Sequence, residues 1–447
     1  MNRKIADVMA KPYTIVAHAS GAGASAVAVL RVSGPQASTI LEAICGGLPE
    51  PRVAALRQVG PPHWSLIDRG LVLWFPAPAS FTGEDMAELH VHGSRAVVAE
   101  AMEAMLSLDG VKLAEPGEFA RRAFENAKID LRQVEGLADL VQAETSRQRE
   151  QALAQAEGIP SERYEAWRKQ LLKAQGLVEA ELDFADEGDV GVGVAAEASV
   201  IVQGLLAELD AALKGRGERL RSGVRIVIAG PPNAGKSSLL NALARRDVAI
   251  VSHEAGTTRD IIEVHLDLGG LPVTLTDTAG LREAASHVEA EGIARAFSRA
   301  EDADILLWVV DATAPVWQPP ASLAGKTRVV VVNKIDIAAD AGTGQGDAIA
   351  VSAKTGQGLD QLLARLEAEA GGALDAGAGG ALMTRARHRV ELEAARDALV
   401  RFRDVPAAPE LKAEELRIAA RHLGRLTGRV DIEDVLGEIF AEFCIGK

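Results

Sequence analysis

The spacing of hydrophobic and polar positions changes along the chain, and the changes divide it. Between residue 13 and about 120, apolar runs at Val27–Val32, Gly70–Phe75 and Ala87–Val91 read as strands, and Ser38–Cys45 and Ala96–Leu106 read as helices. This predicts an α/β domain, assigned to residues 1–122. From Leu131 the period lengthens: Leu131, Val134, Ala138 and Val141 fall on one helical face, with Arg, Gln and Glu on the other. Helical character continues to Phe184, broken near Gly158-Ile159-Pro160. After the acidic, glycine-rich Asp186–Gly193 it returns through Ile201, Leu205 and Leu209, so residues 123–214 are read as helical. Short apolar runs follow, Val224–Ala229, Val273–Thr276, Ile305–Val310 and Ala348–Val351, and Ile305–Val310 has the composition of a buried parallel strand. Residues 215–378 are therefore read as a second α/β domain. Helical spacing resumes over 379–447, with Leu416, Ala419, Ala420, Leu423 and Leu426 on one face and Val435, Leu436, Ile439, Phe440 and Phe443 on another. Because an insert's ends lie close together and helices flank both joints, the pattern predicts one helical domain interrupted by the 215–378 domain. Gly215–Gly223 and Gly371–Gly380 are predicted to be flexible joints. Two unrelated helical blocks would be the other topology.

Composition narrows the classes. A chain of 447 residues is long enough for about three domains. A net charge of −15 argues against broad, nonspecific polyanion binding and restricts any RNA contact to a limited patch. Two cysteines, Cys45 and Cys444, are too few for a disulfide framework and suit a reducing compartment, so a cytoplasmic location is expected. The N-terminus shows no apolar signal segment, and no run approaches the ~18 apolar residues needed to cross a bilayer.

Four short motifs follow the predicted strands in order. Gly230-Pro231-Pro232-Asn233-Ala234-Gly235-Lys236-Ser237 fits a phosphate-cradling loop between a strand and the helix-like Leu239–Leu243. Its backbone N–H groups would close around a β-phosphate, Lys236 would neutralise β and γ oxygens, and Ser237 would coordinate Mg²⁺. Asp277-Thr278-Ala279-Gly280 ends a strand, placing Asp277 toward the metal's outer shell and Gly280 toward a γ-phosphate. In Asn333-Lys334-Ile335-Asp336, the Asp336 carboxylate can accept from guanine N1–H and N2–H₂, a donor pair that adenine lacks. Ser352-Ala353-Lys354 supplies backbone for guanine O6. Together they predict a GTP site in a Ras-like, doubly wound P-loop GTPase domain. The loop Ser252-His253-Glu254-Ala255-Gly256-Thr257-Thr258-Arg259-Asp260 is the expected switch I, with one threonine hydroxyl on Mg²⁺.

Hydrolysis poses a problem for this site. Ras-like enzymes orient water with a Gln directly after DxxG, and here Leu281 stands there. Glu283 is the nearest carboxylate on the same loop, and Arg282 and Arg259 are candidate cations or solvated switch charges. Asn233 could direct its oxygen toward the phosphates and, with switch I carbonyls, hold a monovalent cation, although Asn is also a common turn residue. One charge at about 4 Å is worth roughly 4 kcal/mol at an effective dielectric near 20. An arginine finger's roughly 10³ to 10⁵ in rate is about 4 to 7 kcal/mol. A bound cation is thus large enough to replace it.

These motifs, with Leu30-Arg31-Val32-Ser33-Gly34, Phe81-Thr82-Gly83-Glu84-Asp85, Pro116-Gly117-Glu118-Phe119, Ser238-Leu239-Leu240-Asn241, Leu281-Arg282-Glu283 and Cys444-Ile445-Gly446-Lys447, resemble the tRNA-modification GTPase MnmE (TrmE) family over essentially the whole chain. The resemblance implies an α/β + α architecture: an N-terminal folate-binding and dimerisation domain, a helical domain and an inserted G domain. It implies a homodimer that works with an FAD-containing partner, MnmG, in which alone the FAD resides. The pair adds an aminomethyl or carboxymethylaminomethyl group to C5 of the wobble uridine of certain tRNAs. The methylene comes from a reduced folate, 5,10-methylene- or 5-formyl-tetrahydrofolate as the bound form. Carried over by motif, Asn233, Ser252, Glu254 and Thr257 would surround K⁺, and Ser237 and Thr258 would meet Mg²⁺. Glu283 would help orient water, and Arg31, Glu88, Lys128 and Lys447 would contact folate. The Ser20–Ser25 loop and Ser252-His253-Glu254 depart from the family's usual residues, and Cys444 is either catalytic or a small packed residue. A GTPase switch in ribosome assembly or RNA binding, and a folate enzyme regulated by GTP, are the competing readings.

Overall fold

The computed structural model describes residues 13–21, 23–62, 65–183, 191–250, 263–277, 303–320, 325–338, 346–374, 382–404 and 409–430, with 436–437, 439–440, 443 and 446. The chain forms two compact units, residues 1–138 with 427–447, and residues 139–426.

In the first unit, strands β1 (Thr14–His18), β2 (Ser25–Ser33), β3 (Ala55–Val59), β4 (Asp68–Phe75), β5 (Met86–Gly93) and β6 (Val111–Leu113) make one sheet in the order β3-β4-β5-β2-β1-β6. Alternation decides its faces. Ala28, Leu30 and Val32 of β2 are buried against α1 (Ala37–Cys45) and α2 (Arg95–Leu106), whose own buried residues recur at helical spacing. Arg31, between Leu30 and Val32, therefore belongs to the other face, where Ile15, Ala17 and Met86 pack with Phe119 of α3 (Glu118–Glu125). Ile439, Phe440 and Phe443 pack against Ala120, Leu131, Val134 and Ala138 on α3 and the start of α4 (Leu131–Gln142). This contact requires glycine at 117. Gly117 has φ +71 before α3, and a Cβ there would lie 2.9 Å from the Phe440 carbonyl oxygen. Val141, expected on the buried face of α4, is 46 % exposed; it sits in the last turn, at the rim of the Leu131–Ala138 stripe.

In the second unit, α5 (Ser146–Ala156) opens on a capping box made by Thr145 and Gln148. Then come α6 (Ile159–Asp183), α7 (Gly191–Leu213) and α8 (Gly217–Ser222). The inserted domain carries β7 (Val224–Ala229), α9 (Lys236–Ala244), β8 (Ala249–Ile250), β9 (Glu263–Leu268), β10 (Leu271–Asp277), β11 (Ile305–Asp311), β12 (Thr327–Asn333), β13 (Ile349–Ala350) and α10 (Leu359–Leu374). Helices α11 (Ala386–Asp404) and α12 (Pro409–Leu426) follow. Trp167 and Leu171 of α6, Leu205 and Leu209 of α7, Leu392 and Leu399 of α11 and Leu416 and Leu423 of α12 share one core. Helices from both sides of the insert thus close a single bundle, which excludes two unrelated blocks.

The inserted sheet runs β13-β12-β11-β7-β10-β9-β8, parallel from β13 to β10 and antiparallel beyond. All seven residues of β11 are buried, as its apolar run predicts. Apolar clusters line both faces, and among the described residues α9 and α10 cover one of them. The joints differ from expectation. Gly217–Ser222 is helical, its carbonyl ends held by Gln151 Nε2 on Gly217 O (3.2 Å) and Gln148 Nε2 on Arg221 O (3.0 Å). Gly371 and Gly372 continue α10 to Leu374, because the helix packs Leu362, Leu366 and Ala370 against the sheet, and the rest of that expected joint, residues 375–380, lies outside the described residues.

Candidate functional site

The carboxyl ends of β7, β10, β11, β12 and β13 lie side by side, where an open α/β sheet binds ligands. After β7 the chain turns through Gly230–Gly235 and enters α9, so the first N–H groups of that helix face the loop. Asn233 adopts φ +64 and is exposed on the loop. Lys236 is buried, and its ammonium donates to the carbonyls of Gly230 (3.1 Å) and Pro231 (2.9 Å), which folds the side chain back over the loop. The Ser237 hydroxyl donates to Asp277 Oδ2 at 2.6 Å. Asp277, 1 % exposed at the end of β10, thus meets the first turn of α9. Two hard oxygen donors converge there, a set suited to Mg²⁺. Ser238 is exposed next to Ser237.

The base-reading motifs are stitched to that loop. Asn333 Nδ2 donates to Ala234 O at 3.0 Å, and Asn333 Oδ1 accepts from Ala353 N at 3.1 Å. Gly235 permits the approach, since a Cβ there would lie 2.3 Å from Asn333 Nδ2. The Ser352 hydroxyl donates to Asp336 Oδ1 at 2.7 Å and accepts from Thr355 N at 3.1 Å, fixing the Asp336 carboxylate. Ile335 N donates to Val351 O at 3.4 Å. Lys354 is exposed beside Ala353. A residue not singled out from sequence completes the group: Asp311, ending β11, takes the Lys334 ammonium at 2.7 Å and accepts from Thr313 N (2.9 Å) and Oγ1 (2.7 Å). Burial of the Asp311 carboxyl would raise its pKa, but the bonds from Lys334 and Thr313 outweigh that and hold it below the usual value. An aspartate closing a wholly apolar strand was the available signal.

A second polar cluster lies on the α3 face of the first unit. β2 and β5 pair Arg31 with Glu88, and the side chains meet at 2.9 Å. Arg31 also donates to Gly446 O at 3.1 Å and lies 5.8 Å from the Phe119 ring centroid. Lys128 is exposed and donates to Pro78 O at 2.9 Å, on the loop preceding Gly83. Spacing gave no sign of Arg122, which bonds Glu84 (2.9 Å), Glu118 (3.0 Å) and the Tyr13 carbonyl (3.1 Å). Burial works against the guanidinium's charge, and the bonds and charges of Glu84 and Glu118 outweigh it, so its pKa is raised. The Phe81–Asp85 and Pro116–Phe119 motifs are therefore two sides of one ion-paired lock.

Two family models match, one described as the MnmE helical domain over residues 131–444 and one as the GTP-binding protein TrmE N-terminus over residues 14–128. The chain belongs to the tRNA modification GTPase MnmE family. It is 51 % identical to the tRNA modification GTPase MnmE of Rhodopseudomonas palustris (strain BisB18), over 98 % of this chain and 99 % of that protein. It is 52 % identical to that of Beijerinckia indica, over 97 % and 96 %. Among solved structures, the G domain of the T. maritima FeoB iron transporter is similar at 28 % identity over 33 % of this chain and 98 % of that one, with a TM-score of 0.26. The TrmE N-terminus match includes Arg31, Glu88 and Lys128, and the MnmE helical match runs through the inserted domain. Several MnmE positions named from sequence lie outside the described residues: Ser252, His253, Glu254, Ala255, Gly256, Thr257, Thr258, Arg259, Thr278, Ala279, Gly280, Leu281, Arg282, Glu283, Cys444 and Lys447. Cys45 is buried in the first unit's core, and burial pushes its thiol up to about 12.

Proposed function

We propose that this tRNA modification GTPase is the K⁺-activated, GTP-hydrolysing member of a two-protein system. With an FAD-containing flavoprotein of the MnmG type it modifies C5 of the wobble uridine in certain tRNAs, using a folate one-carbon unit. The observation that carries the GTP reading is the bonding of four sequence motifs into one site: Ser237 to Asp277, Asn333 to both Ala234 and Ala353, and Ser352 to Asp336. Lys236 and the α9 N-terminus bind phosphate oxygens, Asp336 reads the guanine edge, and Ser237 with Thr258 holds Mg²⁺. The metal supplies charge neutralisation at the β and γ oxygens. Asn233, Ser252, Glu254 and Thr257 hold K⁺, and Glu283 orients the attacking water.

The folate reading is supported by the Arg31–Glu88 pair on one sheet face, a guanidinium suited to a glutamate tail and a carboxylate suited to a pterin's donor edge. Lys128 and Lys447 complete that set. Exposed Leu56 and Leu71, opposite each other on the edge strand β3 and its neighbour β4, support a second copy as partner of the N-terminal domain. The domains are residues 1–122, 123–214, 215–378 and 379–447, and the chain works in the cytoplasm as a homodimer. Deleting its gene and restoring it tests the whole reading: wobble modification should vanish, return with the intact chain and fail to return with Asp336→Asn. The protein should also co-purify with a flavoprotein. Intact modification without it, or co-sedimentation with ribosomal subunits instead, overturns the proposal.

A further inference from the structure

The guanine reader has a support on the neighbouring strand. β11 and β12 are parallel and in register, so Asp311 stands level with Asn333 at the strand ends. The next residue, Lys334, adopts φ +70, a left-handed conformation uncommon for a side chain of that size. This turn carries its stem along the phosphate loop, where Lys334 Cε lies 3.9 Å from the Cβ position of Gly235. The ammonium then lands 2.7 Å from Asp311 Oδ2. Asp311 is aimed: its other oxygen accepts both the N–H and the hydroxyl of Thr313, and only 12 % of its side chain is exposed.

We infer that Asp311 is a positioning residue for guanine-nucleotide binding, acting by anchoring the far end of Lys334 so that the lysine stem forms a fixed wall between the phosphate loop and the base-reading loop. The inference rests on the nucleotide site proposed above. An unanchored lysine samples many rotamers, so a wall made from its stem needs a partner at the tip. Asp311 supplies a charge for that tip, and Thr313 keeps the charge from swinging away. A role confined to the local turn would need only an oxygen to receive the Thr313 donors, and an asparagine offers one.

The decisive substitution is therefore Asp311→Asn, measured in the full chain with a fluorescent GDP analogue by stopped flow, beside Lys334→Ala and the double variant. Asp311→Asn should raise Kd about tenfold, the value of one charge-assisted hydrogen bond, through faster dissociation. KM for GTP should rise more than kcat falls. The double variant should bind no more weakly than Lys334→Ala alone, because both changes remove the same wall. Thr313→Val, which keeps the carboxylate but removes the hydroxyl that aims it, gives a second arm if Asp311→Asn melts early, and should weaken binding in the same direction. Unchanged dissociation in both Asp311→Asn and Thr313→Val, or additive losses in the double variant, overturns the inference while the nucleotide site stands. No effect of Lys334→Ala would likewise overturn the inference, whereas failure of the unsubstituted chain to bind the GDP analogue would remove the nucleotide site itself.

Discussion

The Ser237 hydroxyl donates to the Asp277 carboxylate across 2.6 Å, joining the first turn of α9 to the end of β10. Neither residue's neighbours in sequence bring this about. Parallel pairing of β10 with β7 does, since it sets Asp277 level with Ile228, just before the phosphate loop begins. The sheet therefore fixes the spacing of two oxygens that a divalent cation would share, and the loop's backbone adds N–H groups for the phosphates.

Ser237→Ala should remove one of those oxygens without disturbing the core, since Ser237 is exposed. Hydrolysis should fall by about 10² or more, the scale of losing one stabilising group in a charged transition state. Chelating divalent ions should slow the unsubstituted protein similarly. Steady-state turnover against Mg²⁺ concentration checks this: a Ser237→Ala variant with normal turnover and normal Mg²⁺ dependence would remove the residue from the metal site.

Asp336→Asn should exchange the base preference. Ser352 orients the carboxylate, and the carboxamide that replaces it presents an N–H₂ where guanine also presents donors. GTP affinity should drop about 10- to 100-fold, as for a lost bond to a charged group. Xanthine nucleotides, which offer an acceptor at C2, should gain. Competition binding with both nucleotides measures the exchange, and retained guanine preference would count against Asp336 as the reader.

Motifs of fixed spacing were legible in the sequence because each lies within a single loop at a strand end: Gly230–Ser237, Asn333–Asp336 and Ser352–Lys354 all come together as their order predicts. The alternating burial of β2 and the wholly buried β11 were legible for the same local reason. Arg122 was not, because its partners Glu84, Glu118 and Tyr13 come from three separate segments that only the folded sheet assembles. Gly215–Gly223 was misread as a loose joint because glycine content was weighed without the partners that secure α8: Gln148, Gln151 and the Arg221–Asp139 ion pair at 2.8 Å.

Arg122→Ala should leave the buried Glu118 and the half-buried Glu84 without their cation. Breaking such a pair costs about 3–5 kcal/mol, much more than a surface pair. Thermal unfolding of the first unit should move down, and Arg122→Lys should recover little, since an ammonium cannot reproduce a fork that spans Glu84 and Glu118. A melt within error of the unsubstituted protein would show that the lock is not structural.

Cys45 gives a prediction in pH. Burial raises its folded thiol from 9.0 to about 12, so the unfolded chain ionises first. Its contribution to stability is fully present below pH 9.0 and declines as pH rises toward about 12. At pH 8 the native thiol should resist iodoacetamide and react only after denaturation. Peptide mapping after alkylation decides: native labelling at the denatured rate would contradict the buried assignment.

Hydrolysis should depend on which alkali ion is present. Leu281 replaces the water-orienting glutamine, so the proposed mechanism needs both a cation near Asn233 and the Glu283 carboxylate. A cage of carbonyl and amide oxygens sized for K⁺ would discriminate against Na⁺, whose dehydration costs more. Turnover should therefore be much faster in potassium than in sodium salts at equal ionic strength, while nucleotide Kd changes little. Glu283→Ala should lower kcat with GTP affinity nearly intact, since an interaction made only in the transition state appears in kcat and not in binding. The two effects separate by their salt response. Asn233→Ala should lose the potassium stimulation, whereas Glu283→Ala should keep it at a lower rate. Equal rates in both salts would eliminate the cation, and unchanged turnover in Glu283→Ala would leave the orientation of water to another group.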